Sequence, residues 1–301
     1  MIKVGIYGPD VLSDPMRKQL LRLLLRHPDV DLRAVASPAG NTVPLAELHP
    51  VFAGETTLTL ERVLNLDNLD VLFVIDSENL TPEILDKYRE DTNFRLIVLG
   101  KADELIDGDH DGLIYGLPEY YRKPLVRGAR GAVCPRPEAI AMELSLLPLA
   151  KNAMLDSDVK IEITTINDVG DVEAAAREAR RMLAEVQPSL KASVTASALA
   201  EAPYHRIDLK AELDTPIAIE EIERMYREAY DDHNFVYIIA GSGGVDEDLR
   251  GSNKCLIQLS KNGDTLTINA AMDYMTKGCT GNAVHIMDLL FGLHERTGLS
   301  I

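Results

Sequence analysis

The chain has 301 residues, 46% of them hydrophobic and 26% charged, enough for two domains that each bury a core. Its 48 acidic against 31 basic side chains leave a formal charge of −17, which argues against nucleic acid or an anionic membrane as partner. The three cysteines (Cys134, Cys255, Cys279) offer neither a disulfide framework nor a metal-ligand spacing. No run of 18 apolar residues occurs and the first residues read as a strand rather than a signal peptide, so a reducing cytoplasm is the expected location.

Ile2–Tyr7 reads as a buried strand, Met16–Arg26 as an amphipathic helix and Asp31–Ala36 as a second strand. A dinucleotide fold places its phosphate loop in such a β-α-β opening, where glycines let the backbone approach a pyrophosphate at a helix N-terminus. The linking residues, G-P-D-V-L-S-D-P from Gly8 to Pro15, hold one glycine, two prolines without amide donors and the carboxylates Asp10 and Asp14. Two readings stay open: a phosphate loop built on Gly8 and Ser13, or a helix start capped by Ser13 or Asp14 with Pro15 in its first turn. Leu69–Ile75 and Phe94–Leu99 read as buried strands around a helix that Thr81, Pro82 and Glu83 begin. This alternation predicts a parallel sheet with helices on both faces. Ile114–Arg122 reads as a turn-rich loop.

A second domain starts near Ser157. Val159–Thr165 alternates like a half-buried strand, and Val172–Val186 forms a helix rich in Ala, Glu and Arg. Strands within 193–213, 235–239, 254–260 and 265–271, with a helix over Glu220–Tyr230, predict one mixed or antiparallel sheet. Gly241–Gly244 opens no helix and reads as a loop rather than a phosphate cradle. Asp109–Asp111 and Asp231–His233 could hold a metal or be solvated loop charge; no metal site is expected. At the end of the chain, Ala283, Ile286, Met287, Leu290 and Phe291 line one helical face, and Gly292 suits a left-handed helix end. Such an apolar terminus has to dock, on the N-terminal domain or on a second copy.

That last segment, K-G-C-T-G-N-A from Lys277 and F-G-L…T-G-L to Leu299, resembles the C-terminal signature of N-acetyl-γ-glutamyl-phosphate reductase, of the semialdehyde dehydrogenase group. Gly251–Ile257 is similar to the same family's G-S-N-x-C strand, and Ile114–Arg122 to its Y-G-L-P-E-x-x-R. The resemblance implies an α/β chain in three parts. These are an N-terminal Rossmann-like parallel-sheet domain over 1–150, an α+β semialdehyde-dehydrogenase-type dimerisation domain over 151–278, and a C-terminal helix over 279–301 that packs back on the first domain. It implies NADP as cofactor, with Gly8, Ser13, Ser37 (before Ala39-Gly40) and Asn282 as cofactor-binding positions. It also implies Glu119 and Arg122 in a wall of the substrate site, and a homodimer through the second domain's sheet.

The positions that react in this family depart from its pattern. Its members carry a cysteine that opens a helix, whose N-terminus lowers the thiol pKa for attack on an acyl phosphate. Counting back from Leu147–Lys151 puts Pro137 at that position and Cys134 three residues earlier. Cys134 is then a buried structural thiol, or an improvised nucleophile with Arg136 beside it. Val159–Thr165 runs almost directly into a helix, without the family's long excursion and its general acid–base histidine; His205 is the candidate replacement, beside a structural reading. The family's x-H-G turn is replaced by Asp76-Ser77-Glu78. The expected function is a paralogue that keeps the fold and the dimer but not the reaction, a binding or regulatory module that pairs with itself or with an active reductase. The alternative is an active NAD(P)-dependent acyl-phosphate reductase that uses a displaced thiol.

Overall fold

Contacts divide the chain into two units, one of Met1–Pro135 with Cys279–Leu299 and one of Arg136–Gly278 with Ser300–Ile301. The computed structural model describes every residue except 9–14, 39–40, 103–104, 106–111, 166–168, 202–205 and 243, and leaves out the side chains of 15–17, 169–170 and 199–201. Ser13, Ala39-Gly40, Asp109–Asp111 and His205 therefore lie outside the described residues.

The first unit runs β1 (Ile2–Tyr7), α1 (Pro15–Arg26), β2 (Val30–Ala36), β3 (Val43–Pro44), α2 (Leu45–Leu48), β4 (Thr59–Glu61), β5 (Val71–Ile75), α3 (Pro82–Glu90), β6 (Arg95–Leu99), β7 (Ile114–Tyr115), α4 (Pro118–Arg127) and β8 (Gly131–Val133). The second contributes α5 (Pro137–Lys151), β9 (Val159–Thr165), α6 (Val169–Val186), β10 (Val194–Glu201), β11 (Arg206–Asp214), α7 (Ile219–Tyr230), β12 (Val236–Ile238), β13 (Cys255–Asn262) and β14 (Thr265–Asp273). The last helix, α8 (Gly281–Leu290), returns to the first unit.

In the first unit the strands lie in the order β3-β4-β2-β1-β5-β6-β8-β7, parallel except at β3–β4. β5 is buried at every residue, the continuous apolar run of a strand covered on both faces. Thr81 caps α3 by accepting from the Ile84 amide at 3.3 Å, as the Thr81-Pro82-Glu83 start predicts. The predicted turn-rich segment at 114–122 instead opens helix α4 at Pro118. A proline's fixed φ suits a first helical turn, and Pro124 bends the helix near Tyr121. Helix α8 packs on α1, α4 and β6. It ends where Gly292, at φ +67, donates to the Leu289 carbonyl and Leu293 donates to that of Asp288, the double bond of a glycine-terminated helix.

The second unit carries a mixed sheet in the order β10-β9-β11-β14-β13-β12, with parallel pairs only at β10–β9 and β12–β13. Along β11, buried Ile207, Leu209, Ala211 and Leu213 alternate with half-buried Asp208, Lys210 and Glu212. Helices α5 and α7 pack on this sheet, α6 lies on β10, and α5 touches both other helices. α5 is buried at every residue from Glu138 to Ala150. No helix among the described residues is long and apolar enough to cross a membrane.

Candidate functional site

In a doubly wound sheet, ligands bind where the strand order reverses, outside the carboxyl ends of the strands. That point falls between β1 and β5. Gly8 follows β1; its amide donates to the Ala36 carbonyl at 3.2 Å, and a Cβ there would come within 2.8 Å of Ile75 Cβ. Glycine is required here by the approach of β1 to β5. Ser37 is buried at the end of β2 and donates its amide to the Glu61 carbonyl at 2.9 Å.

Past β5, Asp76 adopts φ +64, an uncommon conformation for a residue with a Cβ. Its Oδ1 accepts from the Lys101 amide at 2.8 Å, while its own amide donates to Leu99 and that of Ser77 donates to Lys101. Gly100, at φ +87, makes room: a Cβ on it would stand 2.3 Å from Asp76 Oδ1. The turns after β5 and β6 are thus tied to each other around a carboxylate, with Glu78 two residues on. A pyrophosphate needs open amide donors and positive potential. At this edge the amides of Gly8, Ser37, Asp76, Ser77 and Lys101 are spent on the chain itself, and Asp76 and Glu78 stand there beside Lys101, so these residues do not supply the open donors that the phosphates of NADP need.

The other predicted positions of this unit are occupied by internal contacts. Asn282, in the first turn of α8, is fully buried and donates Nδ2 to the Gly116 carbonyl at 2.8 Å. Glu119 is buried in the first turn of α4. Arg122 donates Nε to Glu295, whose other oxygen lies 3.0 Å from His285 Nε2. Burial opposes ionisation of Glu295, but the hydrogen bonds and charges of His285 and Arg122 outweigh it and hold the carboxyl down at about 2. A second buried pair joins His27 Nε2 to Asp288 Oδ1 at 3.0 Å, and burial pushes Asp288 up to about 6 against the pull of His27. These two pairs fasten the C-terminal segment within its unit.

Cys134 follows β8 and its amide donates to the Val98 carbonyl at 2.8 Å, prolonging the sheet by one residue. The thiol is 1% exposed, and burial pushes its pKa up to about 12. A thiolate is the reactive form, and burial of this sulfur favours the neutral thiol. Cys255 and Cys279 are free and buried too.

In the second unit, Arg136 is the N-cap of α5 and Pro137 its first residue. The buried carboxylate of Glu178, from α6, sits on this helix start: it accepts from the Arg136 amide at 3.3 Å and from Arg136 Nη1 at 2.7 Å. Glu138, one residue into the helix, accepts from the Thr165 hydroxyl. The positive end of the α5 dipole is therefore occupied by the protein's own carboxylates. Sequence reading missed Glu178. The available signal was its spacing, three residues after Ala175 and four before Met182, both buried. It also missed the burial of Lys277, whose Nζ lies 5.8 Å from the Phe235 ring within a π-helical turn over Thr276–Thr280. Among the described residues, no three His, Cys, Asp or Glu side chains are grouped to hold a metal.

This architecture is that of the semialdehyde dehydrogenases. The chain superposes on aspartate semialdehyde dehydrogenase II from Vibrio cholerae with TM-score 0.72 and 12% identity, over 97% of this chain and 99% of that one. An aspartate semialdehyde dehydrogenase from Candida albicans, solved with NADP, matches with TM-score 0.72 and 13% identity over 97% and 98%. No family model matches the sequence. Among curated proteins, the chain is 31% identical to the N-acetyl-gamma-glutamyl-phosphate reductase of Parabacteroides distasonis and 33% identical to that of Bacteroides thetaiotaomicron. Each alignment covers 100% of this chain and 98% of the relative. The chain belongs to the N-acetyl-gamma-glutamyl-phosphate reductase family.

Proposed function

We propose that this family member keeps the scaffold without the thiol-dependent reduction, and that it serves as a dimeric binding or regulatory protein. The observation that carries this reading is the start of α5. There Pro137 holds the position that the family resemblance assigns to the nucleophile, and Glu178 fills the place where a helix dipole would stabilise a thiolate. The burial of Cys134 and the closed edge past β5 support it, as does the alignment with the Parabacteroides relative. That alignment runs over 323 positions, longer than this chain, as a missing excursion requires. The open face of the second unit's sheet is the proposed dimer surface, toward a second copy or an active paralogue. The alternative, an NADP-dependent reductase of N-acyl-γ-glutamyl phosphate with Cys134 as a displaced nucleophile, requires that buried thiol to become exposed and ionised.

Titration with NADPH, read by its fluorescence, tests the reading. No saturation is expected up to about 1 mM, whereas active dehydrogenases bind their cofactors in the micromolar range. Micromolar binding together with NADP-dependent oxidation of the semialdehyde in phosphate buffer overturns it.

A further inference from the structure

On the open face of the second unit's sheet, strand register sets the side chains in rows. Lys160 of β9 stands opposite Glu212 of β11, and Glu162 opposite Lys210. The rows continue through Thr267 and Asn269 on β14 to Ser260 and Gln258 on β13. The opposite face of the same strands buries Ile161, Ile163, Leu209, Ala211 and Leu213. Lys160 and Glu162 are exposed, and the Lys210 and Glu212 side chains are each 42% exposed and 2.8 Å apart. The four charges form a square that alternates in sign along each strand and across the pair of strands.

We infer that this square sets the register of a homodimer contact, a step that rests on the proposed use of this sheet as a dimer surface. Two copies of one face meet around a two-fold axis lying in the plane of contact. With the axis along the strands, between β9 and β11, Lys160 meets Glu212 of the second copy and Glu162 meets its Lys210. With the axis across the strands, Lys160 meets Glu162 of the second copy and Lys210 meets its Glu212. Either way only unlike charges oppose. A square with one basic and one acidic strand would satisfy the first axis alone. The square carries no net charge of its own, so it offers nothing special to a strongly basic or acidic partner. What it complements is itself, and electrostatic complementarity of this kind fixes register.

Charge swaps that leave the chain's net charge unchanged test this by sedimentation velocity, with thermal melts as a check on folding. Lys210→Glu with Glu212→Lys opposes like charges only for the axis along the strands; Glu162→Lys with Lys210→Glu does so only for the axis across them. One of these two double variants should weaken the dimer at least ~10-fold, the other should not, and the fourfold swap should restore wild-type affinity. A wild-type dimer that neither double swap weakens overturns the charge square and leaves the dimer surface standing. A wild-type chain that stays monomeric at about 100 μM overturns both, because a dimer weaker than that falls outside specific association.

Discussion

The hydroxyl of Tyr230 donates to the carbonyl of Leu144 at 2.5 Å. That carbonyl is the one Pro148, four residues on, cannot serve, because proline has no amide hydrogen and its ring pushes against the turn before it. Tyr226 does the same for Ser145, also at 2.5 Å. Helix α7 thus supplies, through Tyr230, the donor that a fully buried, proline-containing α5 lacks at Leu144, and through Tyr226 a further donor at Ser145. Tyr230→Phe should cost about 1–2 kcal/mol in urea unfolding, the penalty for a buried acceptor left without a donor. A loss below a few tenths would mean that the carbonyl has another donor.

The buried thiol makes a kinetic prediction. With its pKa at about 12, native Cys134 should resist iodoacetamide at pH 8 and react only as fast as the protein opens, with a rate that climbs with added urea. Mass spectrometry of partly labelled protein reads this site by site. Rapid labelling of Cys134 in the native state would revive it as a nucleophile.

The two carboxylates of the C-terminal segment should respond to pH in opposite senses. Glu295, held at about 2 in the fold against 4.5 without it, stabilises above pH 4.5, and that contribution is lost as pH falls toward 2. Glu295→Gln should therefore be less stable than wild type by roughly 2 kcal/mol at pH 7, with the gap closing in acid. Asp288, raised from 3.8 to about 6, binds a proton in the fold over a range where the unfolded chain has released it. Stability from this group falls as pH rises from about 4 to about 6. Asp288→Asn should gain on wild type across that window. Urea midpoints in buffers from pH 3 to pH 8 check both signs.

Gly298 lies at φ +69, and a Cβ on it would stand 2.4 Å from His27 Cδ2. Gly298→Ala should lose about 1–3 kcal/mol, through both the left-handed backbone and the displaced His27–Asp288 pair. Gly54, at φ +81 with nothing within 4 Å of where a Cβ would stand, isolates the backbone cost, so Gly54→Ala should lose only about 1 kcal/mol. Equal losses at the two sites would rule out a steric contribution at Gly298.

Much of the architecture was legible because burial leaves a period in the chain. The unbroken apolar run of β5 announces a strand covered on both faces, and the strict alternation of β11 announces a strand covered on one. The helix stop at Gly292 was equally readable, since only a residue without a Cβ takes that turn cheaply. Helix α4 was hidden because Pro118 and Pro124 read as turn formers, and the very short strands β3, β4 and β7 have no period to detect.

By itself, then, the order of residues determined most of the strand and helix pattern and the family. Only the tertiary structure decided what meets the start of α5. Glu178 reaches the start of α5 from 42 residues away, Asp76 ties two separate turns together, and His27 meets Asp288 across 261 residues. Pairings of that kind depend on where the sheet brings distant segments, and no local rule of spacing or propensity carries that information.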